Sequence, residues 1–129
     1  MPTYKVSEAA RLLGVSDDTV RRWIDAGALA TTGSTPAEVP GDALAARATE
    51  LAAAPADGDV PSSARNRFVG LVTRVQRDGL MAQVDIQAGP HRVVSLMSAE
   101  AADDLGLEVG SLAVAVVKAT TVIVEKPRA

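Results

Sequence analysis

The sequence contains no cysteine and one histidine, His91, among its 129 residues. Disulfides, thiolate metal sites and histidine clusters for a metal cation are therefore excluded. Aromatic residues make up 2% of the chain, so bulky side chains for a large core are scarce. No apolar run approaches the roughly 18 residues needed to cross a bilayer, and the start lacks the pattern of a signal peptide. We therefore expect a soluble, cytoplasmic protein with no membrane partner and no bound metal cation.

Motifs of known catalytic sites are also missing from the chain. There is no phosphate-binding loop, no nucleophile elbow and no HExxH pair, and the one Gly-rich stretch has the wrong spacing. A general base paired with a cysteine nucleophile is excluded by the composition. We therefore expect that the protein is not an enzyme.

The charge and the breaker residues indicate two small domains. Residues 1–60 contain five basic and nine acidic residues, whereas residues 61–129 contain eight basic and seven acidic residues. Residues 53–61, AAPADGDVP, combine two prolines, a glycine and two acids, which is typical of a linker. We predict one domain at 1–52 and a second at 62–126. Small domains bury a modest fraction of their surface, so association with other copies is an expected source of stability.

The first domain has the pattern of two helices joined by a glycine turn. Ser7 is predicted to cap a first helix that ends at Gly14, and Ser16 to cap a second helix that ends at Gly27. The stretch that follows, TTGSTPAEVPGD, contains no Lys or Arg. Asp42 at its end is predicted to cap a third helix.

The stretch YKVSEAARLLGVSDDTVRRWIDAGAL resembles the DNA-binding head of winged helix-turn-helix proteins of the MerR and excisionase type. This resemblance implies that the second helix enters the major groove, with Thr19, Arg21 and Arg22 as DNA-binding residues, and that a hairpin wing follows. Phosphate contacts supply most non-specific affinity, and the wing here lacks basic residues. We therefore expect a single copy to bind double-stranded DNA weakly. The alternative is an interaction module with no role on DNA.

The second domain has the pattern of strands around one short helix. Hairpin turns are predicted at Asp78-Gly79 and Gly89-Pro90. Ser98 is a good N-cap for the helix, and Gly106 supplies its C-terminal stop. Strands are predicted over residues 68–75, 80–88, 91–97, 112–118 and 122–124. The last of them is apolar throughout, and we expect another subunit to cover it.

Polar residues at the ends of these strands predict an anion site. The candidates are Ser63, Arg65, Asn66, Ser98, Lys118 and Thr120. A tetrahedral oxyanion needs several donors and partial charge compensation, which hydroxyls, a guanidinium, an ammonium and a helix start supply. The alternative is that Ser98 is only a helix cap and that the basic residues are solvated strand ends.

Residues 62–125 resemble the Mop domain, also called TOBE, of molybdate-binding proteins such as molbindins. The resemblance depends on the SARN entry, the short helix ending in LGL, the EVG turn and the exit strand VVKAT. It implies a five-stranded OB-like barrel, an α+β chain overall, and molybdate or tungstate bound between subunits of a dimer or hexamer. It also implies that Ser63, Arg65, Ser98 and Lys118 are ligands. Thr120 falls where some members have serine, and Ala101 where others carry a hydroxyl.

Two functions remain open at this point. The first is a transcriptional regulator that senses molybdate or tungstate through the second domain. The alternative is a molbindin-like storage or homeostasis protein whose helix-turn-helix serves assembly. The order of domains favours the regulator, and the acidic first domain favours the alternative.

Overall fold

A computed structural model of the chain describes residues 2–52 and 61–128. The chain divides into two compact units, Met1–Ala54 and Pro55–Ala129. Apart from Pro61, the linker predicted at 53–61 lies outside the described residues. Helices followed by an antiparallel sheet confirm the α+β class. None of the helices in the described ranges is long and apolar enough to cross a membrane.

The first unit is a small helical domain closed by a two-stranded sheet. Its elements are β1 (Thr3–Lys5), α1 (Val6–Leu13), α2 (Asp17–Asp25), β2 (Glu38–Pro40) and α3 (Gly41–Leu51). β1 and β2 are antiparallel, with Tyr4 opposite Val39. The core consists of Ala9, Ala10, Val20, Leu29, Val39 and Leu44. Small side chains at the contact between α1 and the other elements suit the close packing of short helices.

The turn between α1 and α2 forms as the sequence predicts. Gly14 adopts a left-handed conformation with φ of 70° at the end of α1, which a residue with a Cβ adopts at a cost. Ser16 caps α2, because its Oγ accepts a hydrogen bond from the backbone N–H of Thr19 at 3.1 Å. These interactions span at most a few residues, so local sequence determines them.

The caps predicted for the other two helices are wrong. α1 begins at Val6 and is capped by Lys5, whose N–H donates to Glu8 Oε1 at 3.1 Å, so Ser7 lies inside the first turn. α3 begins at Gly41 after Pro40, and Asp42 lies in its first turn. In both cases the helix starts where the β1–β2 ladder stops. Pairing between distant segments therefore fixes these two starts, and the nearest capping side chain does not.

The sequence predicts a hairpin wing after α2. In the structure this stretch pairs with the start of the chain instead. Residues 31–37 contain no strand, and Thr32 N donates to Glu38 O at 2.9 Å across this loop. β2 then pairs with β1. β1 is three residues long, and neither the periodicity nor the composition of the sequence predicts it. Its pairing with β2, which is distant in the sequence, stabilises it.

The second unit is a curled antiparallel sheet with one short helix. Its elements are β3 (Asn66–Asp78), β4 (Met81–Ala88), β5 (His91–Ser98), α4 (Ala99–Asp104), β6 (Leu112–Val117) and a 3-10 turn (Ala119–Thr121). The strand order is β5-β4-β3-β6. Both hairpin turns lie where the sequence predicts them, at Gly79 and Gly89. The N-cap at Ser98 and the left-handed glycine at Gly106 are confirmed.

The long strand β3 makes the curl possible because it pairs with different partners along its length. Residues Asn66 to Leu71 pair with β6, and residues from Leu71 onward pair with β4. A Cβ at Gly70 would collide with the backbone carbonyl of Gln87, so only glycine permits this approach. The core beneath consists of Val72, Val84 and Ile86, with half-buried side chains of β5 and β6 around it.

The last predicted strand does not form within this chain. Residues 122–124 have no assigned secondary structure, and their side chains are 47%, 87% and 86% exposed. The described residues of the second unit form four strands in one sheet. β-branched side chains at residues 122–124 favour a strand, but a strand also needs a partner, and this segment pairs with none of the described residues.

Candidate functional site

The first candidate site lies where β3 begins and β6 ends. Asn66 and Val117 are the last residues paired in this ladder, and Arg65 and Lys118 are the residues directly beyond that pair. Lys118 still has extended backbone angles, φ −64° and ψ 140°. If the register continued by one residue, Arg65 would lie opposite Lys118, and residues opposite each other in an antiparallel pair share a face.

These two positive charges lack a counterion in the part of the chain that the structure describes. Arg65 and Lys118 are exposed, and neither forms an ion pair or a hydrogen bond through its side chain with another described residue. Like charges at opposing positions repel each other, and an anion between them removes the repulsion. The geometry thus favours an anion at this end of the ladder.

Two hydroxyl residues flank the pair. Ser63 lies two residues before Arg65, and Thr120 lies two residues after Lys118, and both are exposed. The backbone beside each is held by a local hydrogen bond: Ala64 N donates to Ser62 Oγ at 3.1 Å, and Thr121 Oγ1 donates to the Lys118 carbonyl at 2.8 Å. These bonds restrain the backbone next to Ser63 and Thr120.

Asn66 differs from the other candidates because its amide already has a partner. Its Nδ2 donates to the carbonyl oxygen of Val117 at 3.0 Å, and the residue is half-buried. This bond joins the first residue of β3 to the last residue of β6. Through this hydrogen bond, Asn66 holds the two strand ends together.

Ser98 lies at the other end of the sheet. It pairs with Met81, which pairs in turn with Asp78 at the end of β3. β3 is 13 residues long, so the path along it from Asn66 to Asp78 is about 40 Å at a rise near 3.3 Å per residue. Within one chain, therefore, the structure brings Arg65, Asn66 and Lys118 together and does not bring Ser98 to them.

The start of α4 has few unpaired backbone donors. Ser98 Oγ accepts from Ala101 N at 3.0 Å, and Ala99 N donates to the Leu80 carbonyl at 2.8 Å. Ser98 is therefore a helix cap, as the alternative interpretation predicts. Its hydroxyl hydrogen is not consumed by the cap, since the oxygen acts there as an acceptor.

Arg67 is a further basic residue near this site, and the sequence motifs do not predict it. Arg67 is opposite Val116, two residues along β3 from Arg65, and therefore lies on the same face. Its Nε is buried and has no hydrogen-bond partner among the described residues. The alternation of Arg65 and Arg67 along a strand was the available signal. The face next to the candidate site therefore contains three basic residues.

A second polar cluster on the sheet has a structural role. Asp85 on β4 is 5% exposed. It accepts hydrogen bonds from Gln83 Nε2 at 3.1 Å and from Arg92 Nε and Nη2 at 2.9 and 2.8 Å. The hydrogen bond from Gln83 and then those from Arg92 hold the pKa of Asp85 below its ordinary value. The cluster ties β4 to β5.

The second candidate site is the exposed side of α2. Arg22 Nη2 donates to Thr19 Oγ1 at 3.2 Å, and Arg21 Nη1 lies 3.5 Å from Asp18 Oδ1. Both arginines are exposed, while Val20 on the opposite side is buried in the core. Thr19 also contacts the cap residue Ser16, at 2.9 Å between hydroxyl oxygens. Thr19 thus connects the helix cap to the arginine that follows it by one turn.

Comparison with known proteins assigns both units. A TOBE domain model matches residues 62–124, and a helix-turn-helix domain model matches residues 3–39. "Molybdenum-pterin-binding protein 3" of Clostridium pasteurianum is 36% identical over 63 residues, which are 48% of this chain and 93% of that protein. "Molybdenum transport protein ModE" of Herbaspirillum seropedicae is 35% identical over 63 residues, again 48% of this chain.

The chain spans only 23% of the length of the ModE relative. A solved molybdate-binding protein of Sporomusa ovata superposes with a TM-score of 0.50 at 27% identity, covering 52% of this chain and 100% of that one. This match confirms that the sheet of the second unit has the Mop, OB-like fold. The chain therefore belongs to the TOBE domain family, and its TOBE domain follows a helix-turn-helix domain.

Proposed function

We propose that this protein binds molybdate or tungstate with its TOBE domain and regulates transcription with its helix-turn-helix domain. The observation that carries the proposal is the position of Arg65 and Lys118, two exposed cations directly beyond the last pair of the β3–β6 ladder with no counterion among the described residues. A doubly charged tetrahedral oxyanion neutralises both. The names of the relatives, which concern molybdenum transport and molybdate binding, support the same ligand class.

The site is completed by a second copy of the chain. Arg65, Lys118, Ser63 and Thr120 supply donors from one copy, and Ser98 supplies its hydroxyl hydrogen from another, because in one chain it lies at the far end of β3. Asn66 positions the strand ends. Binding is then coupled to assembly, so that the oxyanion stabilises the homo-oligomer by mass action.

The chemistry of the donors favours unprotonated oxyanions. Every side chain proposed to contact the ligand donates a hydrogen bond, and none of the cations can accept one. Phosphate near neutral pH is partly protonated, and its O–H cannot pair with the guanidinium or the ammonium and would have to donate to one of the hydroxyls. Molybdate and tungstate present four oxygens without a proton, so each donor has a partner.

Isothermal titration with molybdate, tungstate and sulfate tests the ligand. The wild-type chain is compared with Arg65→Ala and Lys118→Ala, and Arg11→Ala in the other domain serves as a control for the loss of one positive charge. We expect binding of molybdate or tungstate that the first two substitutions weaken and the control leaves unchanged. Equal competition by sulfate contradicts the specificity, and unaltered binding by Arg65→Ala and Lys118→Ala contradicts the site.

The regulatory part of the proposal concerns α2. Arg21 and Arg22 are exposed on the helix that follows the glycine turn, where arginine pairs well with guanine in the major groove. A single domain with five basic and nine acidic residues in its half of the chain has little non-specific affinity. Oligomers join several such domains, and a second contact at high effective concentration raises affinity by about 10² or more when the geometry fits.

A second function, storage or homeostasis of the oxyanion, is favoured by one observation. Arg21 lies 3.5 Å from Asp18, and the acidic residues Asp17, Asp18 and Asp25 are on the same helix. Negative charge on a helix opposes its approach to DNA. Fluorescence anisotropy with the DNA upstream of the protein's own gene, at stated salt and with and without molybdate, distinguishes the two. Specific binding supports the regulator, and its absence in both states assigns the helix-turn-helix domain to assembly.

A further inference from the structure

Arg67 lies within the β3–β6 ladder and has no partner for its charge. Its side chain forms no ion pair and no hydrogen bond with any residue in the ranges 2–52 and 61–128. Other arginines of the same sheet differ, since Arg77 pairs with Asp103 and Arg92 pairs with Asp85. The positive charge of Arg67 is therefore available to a ligand.

The Nε of Arg67 is a donor without an acceptor. It is shielded from solvent and bonds to none of the described residues. Val116 opposite it and Val69, two residues along the same face of β3, have apolar side chains. A buried N–H without an acceptor is unfavourable, and native structures seldom contain one unless a water or a ligand completes it.

The two strands that surround Arg67 also lack negative charge. Residues 66–77 of β3 and the whole of β6 contain no Asp or Glu. Two further cations are close by, because Arg65 precedes Arg67 by two residues and Lys118 follows Val116 by two. Two residues of extended chain span about 7 Å, so the fields of the three cations add at this end of the ladder.

We propose that Arg67 is a third cation of the oxyanion site and that it makes the site select dianions over monoanions of the same shape. The inference rests on the proposed oxyanion function and deepens it. Molybdate or tungstate neutralises two of the three positive charges, whereas a monoanion leaves two uncompensated. Coulomb energy is proportional to the charge of the ligand, so each added cation favours a dianion twice as strongly as a monoanion.

Tungstate and perrhenate are the matched probes for this selection. Both are tetrahedral oxyanions of neighbouring metals, both present four oxygens without a proton near neutral pH, and they differ by one unit of charge. Shape and hydrogen-bond acceptors are thus held constant. A change in the ratio of their dissociation constants reports the charge of the site.

Arg67→Gln removes the charge and keeps a long polar side chain. We expect the dissociation constant to rise about 10-fold for tungstate and about 3-fold for perrhenate, because doubling an interaction energy squares its fold-change. Arg67→Lys keeps the charge, so the ratio of the two constants stays near that of the wild type. Arg11→Gln removes one positive charge from the other unit and leaves both constants unchanged. Isothermal titration at constant low salt measures tungstate, and displacement of tungstate measures perrhenate.

Equal rises for the two anions in Arg67→Gln indicate general damage to the ladder end and overturn the proposal. Unchanged constants with a lower melting temperature also overturn it, since Arg67 then acts only through the packing of its stem on apolar surface. Wild-type protein that binds neither tungstate nor molybdate refutes the proposed ligand itself. Wild-type binding that Arg65→Ala weakens and Arg67→Gln does not weaken refutes the role of Arg67 alone.

Discussion

Asn66 Nδ2 donates a hydrogen bond to the carbonyl oxygen of Val117, 3.0 Å away, and so joins the first residue of β3 to the last residue of β6. The residues directly beyond this pair are Arg65 and Lys118. The spacing of the two cations thus depends on a bond made by their neighbours. In the proposed site, Asn66 acts by positioning and the two cations act by contact.

Asn66→Ala is expected to separate these roles. Loss of one hydrogen bond lowers the free energy of unfolding by about 0.5 to 1.5 kcal/mol, and molybdate affinity falls because the strand ends become less well fixed. Thermal unfolding and isothermal titration measure the two effects. Arg65→Ala is the comparison, since it lowers affinity with little effect on stability. If Asn66→Ala lowers affinity as much as Arg65→Ala and leaves stability unchanged, Asn66 is a direct ligand.

Arg65→Ala and Lys118→Ala are each expected to weaken oxyanion binding by about 1.5 to 3 kcal/mol, the scale of a hydrogen bond to a charged group. This corresponds to roughly a 10-fold to 150-fold rise in dissociation constant. Arg65→Lys keeps the charge and loses the forked donor geometry, so it should retain only part of the affinity. A loss no greater than that of Arg11→Ala would show that these residues are merely solvated strand ends.

Ser98 combines two functions that two substitutions distinguish. Ser98→Ala removes the cap on Ala101 N and the hydroxyl donor, so stability falls by about 1 kcal/mol and oxyanion affinity falls as well. Ser98→Asp keeps a capping oxygen but offers no donor and repels an anion. We therefore expect near-normal unfolding and strongly reduced binding for Ser98→Asp. Near-normal molybdate binding by this variant would limit Ser98 to its role as a cap.

Arg22→Ala is expected to lower specific DNA affinity by about 1 to 3 kcal/mol if Arg22 contacts a base edge. Oxyanion affinity should not change, because the substitution lies in the other unit. Thr19→Ala removes the hydroxyl that accepts from Arg22 Nη2 and should cause a smaller loss. Anisotropy at several salt concentrations gives the affinities. A loss for Arg22→Ala that is equal on all DNA sequences would indicate a phosphate contact.

The TOBE unit is expected to lose stability in acid through Asp85. Its pKa is lowered from the ordinary value of 3.8 by the hydrogen bonds from Gln83 and Arg92. A carboxyl group with a lowered folded-state pKa stabilises the fold above its unfolded pKa and ceases to do so as the pH falls through the folded one. Asp85→Asn should therefore flatten the decline in stability below about pH 4. Denaturant unfolding between pH 7 and pH 2.5 measures it, and parallel curves for both proteins would contradict this cause.

Local sequence predicted those features whose partners lie within a few residues. The caps at Ser16 and Ser98, the glycine stop at Gly14 and the turns at Gly79 and Gly89 each depend on one short hydrogen bond or one backbone conformation. The donors at the ends of β3 and β6 were also recognisable, since the SARN entry and the VVKAT exit are contiguous stretches. Features of this kind depend only on residues that are close together in the sequence.

Long-range pairing decided what local sequence could not. Ser7 and Asp42 are good capping residues, but the β1–β2 ladder sets the helix starts at Val6 and Gly41. The segment 122–124 has the composition of a strand, yet it pairs with none of the residues that the structure describes. A strand is stable only when it hydrogen-bonds to a neighbouring strand, and the sequence of a segment does not identify that neighbour.

The sequence by itself indicated the domain families and the candidate donor residues, because charges, hydroxyls and capping residues retain their chemistry wherever the chain places them. Only the tertiary structure showed that Arg65 and Lys118 lie directly beyond the last pair of β3 and β6, that Arg67 is close to them on β3, and that Ser98 lies near the opposite end of β3. Register determines these relationships, and a shift of one residue turns a side chain to the other face. The approach of β3 to β4 depends on Gly70, because a Cβ there would collide with the backbone carbonyl of Gln87.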